Sequence, residues 1–127
     1  MDIIKQIYNK EYYNNKKILI TGGTGTLGNI LTDFFLNETT ITKVCIFSRD
    51  EFKQHNMKLK YKNHKNYKNL RFFIGDIRDV ERIKYACKDI DIVFHTAALK
   101  QVDAIEYNPM EAIKTNIIGT QNVIMAC

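Results

Sequence analysis

Apolar runs at 18–20, 43–47, 70–74 and 90–95 recur along the chain, and stretches of helical periodicity separate them. Runs of this length bounded by turn residues read as strands buried on both faces. After the first run, Ile30, Leu31, Phe34 and Phe35 repeat at helical spacing, which predicts a helix over 26–37 that stops near Thr39 and Thr40. Asp79 is placed to cap a helix over 80–88. Farther on, Asn108 reads as an N-cap, Pro109 as the first helical residue and Glu111 as the acid of a capping box. On that last helix Ile113, Ile117, Val123 and Ile124 form the apolar set expected to pack on the sheet, with Asn116 and Thr120 polar on or beside that face. Asn116 is expected to bond backbone or an ordered water. Residues 1–16 are polar and tyrosine-rich, and Ile3, Ile4, Ile7 and Tyr8 fall at helical spacing, as in a short helix or arm leaning on the core.

Strands alternating with helices imply an α/β domain over 17–127: a doubly wound parallel sheet in the order 3-2-1-4, incomplete after about four strands. Ligands bind such sheets beyond the carboxyl ends of the strands, where the order reverses. The residues at those ends therefore carry the candidate chemistry. Between the first strand and its helix stands Thr21-Gly22-Gly23-Thr24-Gly25-Thr26-Leu27-Gly28. Gly22 allows the sharp turn, Gly25 lets backbone approach a diphosphate, and Gly28 lets the helix lie close to the sheet, as in Rossmann-like dinucleotide sites. The diphosphate would sit on the free N–H groups at the positive end of the helix.

The second strand ends in Ser48-Arg49-Asp50, where the adenosine ribose is read. A hydroxyl and a planar guanidinium suit a 2′-phosphate and favour NADP, whereas Asp50 keeps NAD open unless it caps the next helix. Asp76 after the third strand is a candidate acceptor for the adenine amino group, or a turn residue. Ala97 and Ala98 after the fourth permit close approach of a flat cofactor, with Lys100 near its reactive end. His95 closes an apolar strand and reads as a packed, satisfied histidine rather than a catalyst.

Length and composition narrow the rest. A chain of 127 residues that is 45% hydrophobic suits one core. It has no apolar run of membrane-spanning length and no signal peptide at its start, so the expectation is a soluble, cytoplasmic protein with no membrane partner. Cys45, Cys87 and Cys127 are odd in number and widely spaced, which suits reduced thiols and neither a disulfide framework nor a metal site. Lysines at 53, 58, 60, 62, 65 and 68, interleaved with Tyr61 and Tyr67, account for much of the net charge of +5. Nothing in them repeats at base spacing, so they read as a solvated helix face and a polar loop rather than a nucleic-acid surface.

The segments Thr21 to Gly28, Ser48-Arg49-Asp50-Glu51, Phe72 to Asp79, Ala97-Ala98-Leu99-Lys100, and Glu106-Tyr107-Asn108-Pro109 through Gly119 resemble the extended short-chain dehydrogenase/reductases. The likeness is greatest to the inverting UDP-N-acetylglucosamine 4,6-dehydratases of polysaccharide biosynthesis. It implies NADP held by Gly22, Gly23, Thr24, Gly25, Thr26 and Leu27, by Ser48 and Arg49, by Asp76 and Ile77, and by Ala98 and Lys100. Lys100 alone is implied as a substrate contact. In such enzymes the cofactor takes a hydride from sugar carbon 4, water leaves across carbons 5 and 6, and the hydride returns to carbon 6.

Members of the family carry a catalytic Tyr-x-x-x-Lys pair after a fifth strand, beyond Cys127. The local matches, Tyr13 with Lys17 and Tyr61 with Lys65, do not fall at the strand rim, so no catalytic residue is assigned. The resemblance thus implies the cofactor half of a dehydratase that takes its UDP-sugar only with a further half. A related epimerase's cofactor half and a non-catalytic dinucleotide-binding module stay open beside it. An open edge on the fourth strand and a partly uncovered last helix predict association, most simply as a homo-oligomer.

Overall fold

The computed structural model describes residues 9–98 and 106–127. The expectations for Ile3, Ile4, Ile7 and Tyr8, and for Leu99 and Lys100, lie outside the described residues. The elements run β1 (Lys17–Thr21), α1 (Thr26–Glu38), β2 (Lys43–Ser48), α2 (Glu51–Tyr61), β3 (Leu70–Ile74), α3 (Val80–Cys87) and β4 (Ile92–His95). A continuous helical stretch follows, made of α4 (Pro109–Ala112), a π-helical segment (Ile113–Gly119) and α5 (Thr120–Ala126). Short 3₁₀ turns occupy Lys10–Tyr13 and Tyr67–Asn69.

All strand pairs are parallel and the order is β3-β2-β1-β4, as the alternation of elements predicts. In register, Ile18 stands opposite Val44 and Ile92, and Ile20 opposite Ile46 and Phe94. Because side chains alternate along a strand, one face presents Ile18, Ile20, Val44 and Ile46, covered by Phe35, Leu36, Met57 and Tyr61 of α1 and α2. The other face presents Leu19, Cys45 and Phe47, covered by Ile83 and Ala86 of α3 and Val123 of α5. Each fully buried aliphatic side chain contributes about 1.5–3 kcal/mol, so the two inner strands, β1 and β2, supply much of the hydrophobic stability. Tyr13 of the first 3₁₀ turn is buried against Phe34, Phe35 and Phe94 and closes one end of that core.

The element ends have local causes. Asn37 and Thr39 side chains bond the carbonyls of Asp33 and Phe35, which finishes α1 just past the expected limit. Asp50 and Asp79 cap α2 and α3, accepting from the N–H groups of Lys53 and Arg82 at 2.9 and 3.1 Å. The lysines at 53, 58, 60, 62, 65 and 68 are all exposed, on α2 or the loop after it, while Gln54, Met57 and Tyr61 face inward. β4 starts at Ile92 rather than at residue 90, because Asp89 takes a positive φ of 61° and Ile90 N–H still bonds back to Cys87. The thiols of Cys45, Cys87 and Cys127 are free. Burial pushes the Cys45 thiol up to about 11. Among the described residues no helix is long and apolar enough to cross a membrane.

The last helical stretch departs from its expected packing. Ala112, Thr115, Gly119 and Val123 face inward, whereas Ile113, Ile117 and Ile124 are 42%, 62% and 71% exposed. Small residues explain the inversion: a Cβ at Gly119 would stand 2.7 Å from Ile77 Cδ1, so the helix approaches the loop after β3 on its small-residue side and turns its isoleucines outward. Asn108 stands before α4 without a capping side-chain bond to it, and Glu111 bonds Arg78 instead of closing a capping box.

Candidate functional site

A cleft of about 730 Å³ opens at the carboxyl ends of the strands, between the tips of β1, β2, β3 and β4. It is lined by Gly22, Thr24, Gly25, Thr26, Leu27, Ser48, Arg49, Asp76, Ile77 and Ala98, so residues drawn from four separate strand ends share one concavity. Gly23 does not line it: a Cβ there would stand 2.7 Å from Ile46 Cγ2, which marks it as a packing position beneath the turn. Lys100 lies outside the described residues.

The glycine turn is shaped by two close approaches. Gly22 has φ +65°, and a Cβ on it would lie 2.8 Å from the Ala97 backbone, so both conformation and space require glycine. At Gly28 a Cβ would be 2.3 Å from Gly23 O, which is how α1 comes to begin directly on the turn. Asn29, which sequence reasoning did not single out, holds this loop by donating from Nδ2 to the carbonyls of Thr24 and Gly25 at 3.1 and 2.9 Å. The N-terminus of α1 has Gly25 as its N-cap, no capping side chain and no acid in its first turn. Its N–H groups and positive dipole end therefore face the cleft without an internal counter-charge.

At the tip of β2, Ser48 Oγ accepts from Gln54 Nε2 at 2.9 Å, and the same amide donates to Phe73 O at 3.0 Å. Gln54 is buried and ties the ends of β2 and β3 together. Since Ser48 accepts from Gln54, its own hydrogen is left to donate toward the cleft. Arg49 and Lys53 stand on the same wall and bring two cations to it. Asp50 also lines the cleft, with Oδ1 engaged by the Lys53 N–H as the cap of α2. Neither Gln54 nor Lys53 was legible as a site residue, because both sit in a stretch whose pattern reads as a solvated helix.

Asp76 is tied by Arg78, whose Nε and Nη2 reach Oδ2 at 2.9 and 2.7 Å and whose N–H reaches Oδ1 at 2.9 Å. Arg49 lies 3.8 Å from the same carboxylate. Burial alone would raise the pKa of Asp76, but the bonds and charge of Arg78, aided by Arg49, hold it below the usual carboxylate value. It is thus an ionised acceptor at the cleft wall, with Oδ1 the less committed oxygen.

His95 is satisfied on both nitrogens. Thr120 Oγ1 donates to Asn116 O at 2.7 Å, so it accepts from His95 Nε2 at 3.0 Å. His95 Nδ1 then accepts from Thr21 Oγ1 at 2.7 Å, while Thr21 Oγ1 accepts from the N–H groups of Thr96 and Ala97. The bonding pattern assigns the neutral, Nε2-protonated ring, and burial lowers its pKa in the same sense. Of the tyrosines paired with lysines by spacing, Tyr13 is a core residue. Tyr61 is buried too, with its hydroxyl bonded to Asp33, and burial followed by that carboxylate raises its pKa. Neither lines the cleft.

A family model described as "Polysaccharide biosynthesis protein" matches residues 18–127. The UDP-N-acetylglucosamine 4,6-dehydratase (inverting) of Campylobacter jejuni is 51% identical over 115 residues, covering 91% of this chain and 33% of the relative. A UDP-glucose 4-epimerase of Rickettsia bellii is 50% identical over 115 residues, covering 88% and 33%. Among solved structures, Pen from Bacillus thuringiensis superposes with a TM-score of 0.84 at 44% identity, covering 91% of this chain and 34% of that one. The chain thus spans about a third of the length of these relatives, corresponding to their N-terminal part. With its parallel sheet, its glycine turn and this match over nearly the whole length, the chain belongs to the polysaccharide biosynthesis protein family of the extended short-chain dehydrogenase/reductases.

Proposed function

We propose that this chain is the NADP-binding part of a nucleotide-sugar 4,6-dehydratase acting on a UDP-N-acetylglucosamine-type substrate. The observation that carries the cofactor choice is the wall at the tip of β2. There Ser48, Arg49 and Lys53 line one wall, and of the two acids beside them Asp50 is committed to capping α2 while Asp76, 3.8 Å from Arg49, is tied by Arg78. A phosphate on the 2′-oxygen finds a hydroxyl donor and two cations, whereas Asp50, the acid that would read a bare ribose, is engaged by the Lys53 N–H.

The residues fit such a group along the whole cleft. The open N-terminus of α1 suits a diphosphate, and the space at Gly25 lets it approach. Asp76 is held ionised as an acceptor for an exocyclic amino group. Ala97 and Ala98 leave room for a flat ring beside β4. When bound, a nicotinamide dinucleotide supplies a site that accepts and returns a hydride. This chain's own part is to hold and orient it: the turn fixes the diphosphate, the β2 tip reads the ribose, and Asp76 with Arg78 frames the base. No proton-transfer group is assigned among the described residues.

The 51% identity to an inverting dehydratase supports the dehydratase assignment. The 50% identity to a UDP-glucose 4-epimerase over the same length supports a second reading, the cofactor half of an epimerase. Cytoplasmic location belongs to this proposal, as does self-association through the β4 edge and the outward isoleucines of the last helical stretch; sedimentation showing a lone monomer at tens of micromolar would remove the latter. The cofactor proposal is tested by calorimetric titration of the chain with NADP and NAD, beside Arg49→Ala. Loss of a charged hydrogen-bonding partner corresponds to about 10- to 100-fold in affinity. NADP should bind tighter than NAD and lose that advantage in the variant; equal affinities, or no binding of either, would overturn the proposal.

A further inference from the structure

Thr115 is 5% exposed, it lines the cleft, and its Oγ1 has no hydrogen-bond partner among the described residues. Buried hydroxyls are rarely left so, because an unmade bond in a dry site is destabilising. The helices of this molecule show the usual remedy: Thr32, Thr39 and Thr120 each donate to the carbonyl four residues back, at 2.8, 2.7 and 2.7 Å. Thr115 sits in the π-helical segment Ile113–Gly119, where the wider turn changes that relation, and its hydroxyl makes no such bond.

Its neighbours locate it within the cleft. On the same inward face, Glu111 bonds Arg78, Gly119 abuts Ile77, and Asn122 Nδ2 donates to the carbonyls of Ile77 and Arg78 at 3.0 and 3.1 Å. Thr115 lies between these positions along the helical stretch and lines the same cleft as Asp76 and Ile77. A ligand there meets a carboxylate that accepts and a hydroxyl that can donate, backed by an apolar side chain. That set suits the edge of a purine bearing an amino group beside ring nitrogens.

We propose that Thr115 is a base-reading residue, with Oγ1 donating to a ring nitrogen of adenine while Asp76 accepts from its amino group. The inference rests on the dinucleotide reading of the cleft and assigns the adenine end a donor from the last helical stretch. Among the described residues the hydroxyl has no partner, and the ligand supplies one.

The test titrates NADP and adenosine 2′,5′-bisphosphate, which lacks the nicotinamide, into wild type, Thr115→Val and Thr115→Ser, with thermal unfolding of each ligand-free chain. Valine keeps the shape and removes the hydroxyl. It should weaken both ligands about fivefold to tenfold, while serine stays within about twofold of wild type. The ligand-free valine variant should unfold at the same temperature as wild type or higher, which a purely structural hydroxyl would not allow. Equal affinities of wild type and Thr115→Val overturn the inference alone, as does a loss confined to NADP, or a lower ligand-free midpoint in the valine variant. Absence of NADP binding by wild type overturns the dinucleotide reading itself and this inference with it.

Discussion

Gly28→Ala sets two effects of opposite sign against each other. Alanine inside a helix is favoured over glycine by about 1 kcal/mol, so an unobstructed helix would gain stability from the change. Here the added Cβ would lie 2.3 Å from Gly23 O and 2.5 Å from both Gly23 C and Cα. The first distance is about 1 Å short of ordinary contact, and the obstruction is backbone that no rotamer change can clear. Overpacking of this kind costs about 1–3 kcal/mol, and rigid neighbours place it at or above the upper end. The clash wins, leaving a net loss of about 2 kcal/mol. Thermal or urea unfolding reads this directly, and the midpoint temperature should fall by about 10 °C. Gly25→Ala is the matched control. Its Cβ meets only Gly22 O at 3.3 Å, at an ordinary φ of −77°, so stability should shift by less than about 0.5 kcal/mol. Because Gly25 lines the cleft, that variant should instead lose dinucleotide affinity, by about tenfold or more. An unchanged or raised midpoint for Gly28→Ala would refute the claim that helix and turn are held in backbone contact there.

Other outcomes follow from single side chains. Asp50→Ala removes the cap of α2 and should lower unfolding stability by about 1 kcal/mol while leaving NAD affinity within about twofold. A large fall in NAD affinity would show that Asp50 reads a ribose after all. His95 has a pKa lowered by burial from 6.5, so the unfolded chain binds the proton more readily. Stability should therefore fall as pH drops below about 6.5, and this component should vanish in His95→Gln, compared by urea titrations at pH 7 and pH 5.5. Asp76, with a pKa lowered from 3.8, adds a separate loss only at more acid pH, where protonation breaks its bonds to Arg78.

The parts of this molecule legible in its sequence are those decided locally. The strands, the glycine turn and the caps at Asp50 and Asp79 each depend on a few consecutive residues whose geometry is set by backbone preference. The gathering of Gly22, Ser48, Asp76 and Ala98 on one rim follows from parallel topology once the strands are known. What was not legible depends on which surfaces meet. The isoleucines at 113, 117 and 124 form an apolar set, yet periodicity alone cannot show that Gly119 will be preferred for close approach to Ile77. Gln54 looks like any polar residue of a charged helix until the ends of β2 and β3 are seen converging on its amide. Thr115 becomes conspicuous only when the bonds of every other buried hydroxyl are accounted for.

The central claim is that the cleft at the strand ends holds a phosphorylated dinucleotide. Amide chemical shifts of the isotopically labelled 127-residue chain, followed during titration with NADP, address it most directly. The account predicts that shifts concentrate at Gly22, Gly25, Thr26 and Leu27, at Ser48 and Arg49, and at Asp76 and Ile77, with the largest changes at the start of α1. Shifts gathered instead in the polar groove at the opposite end of the sheet, around Lys10, Asn37 and Lys68, or no shifts at millimolar NADP, would contradict it.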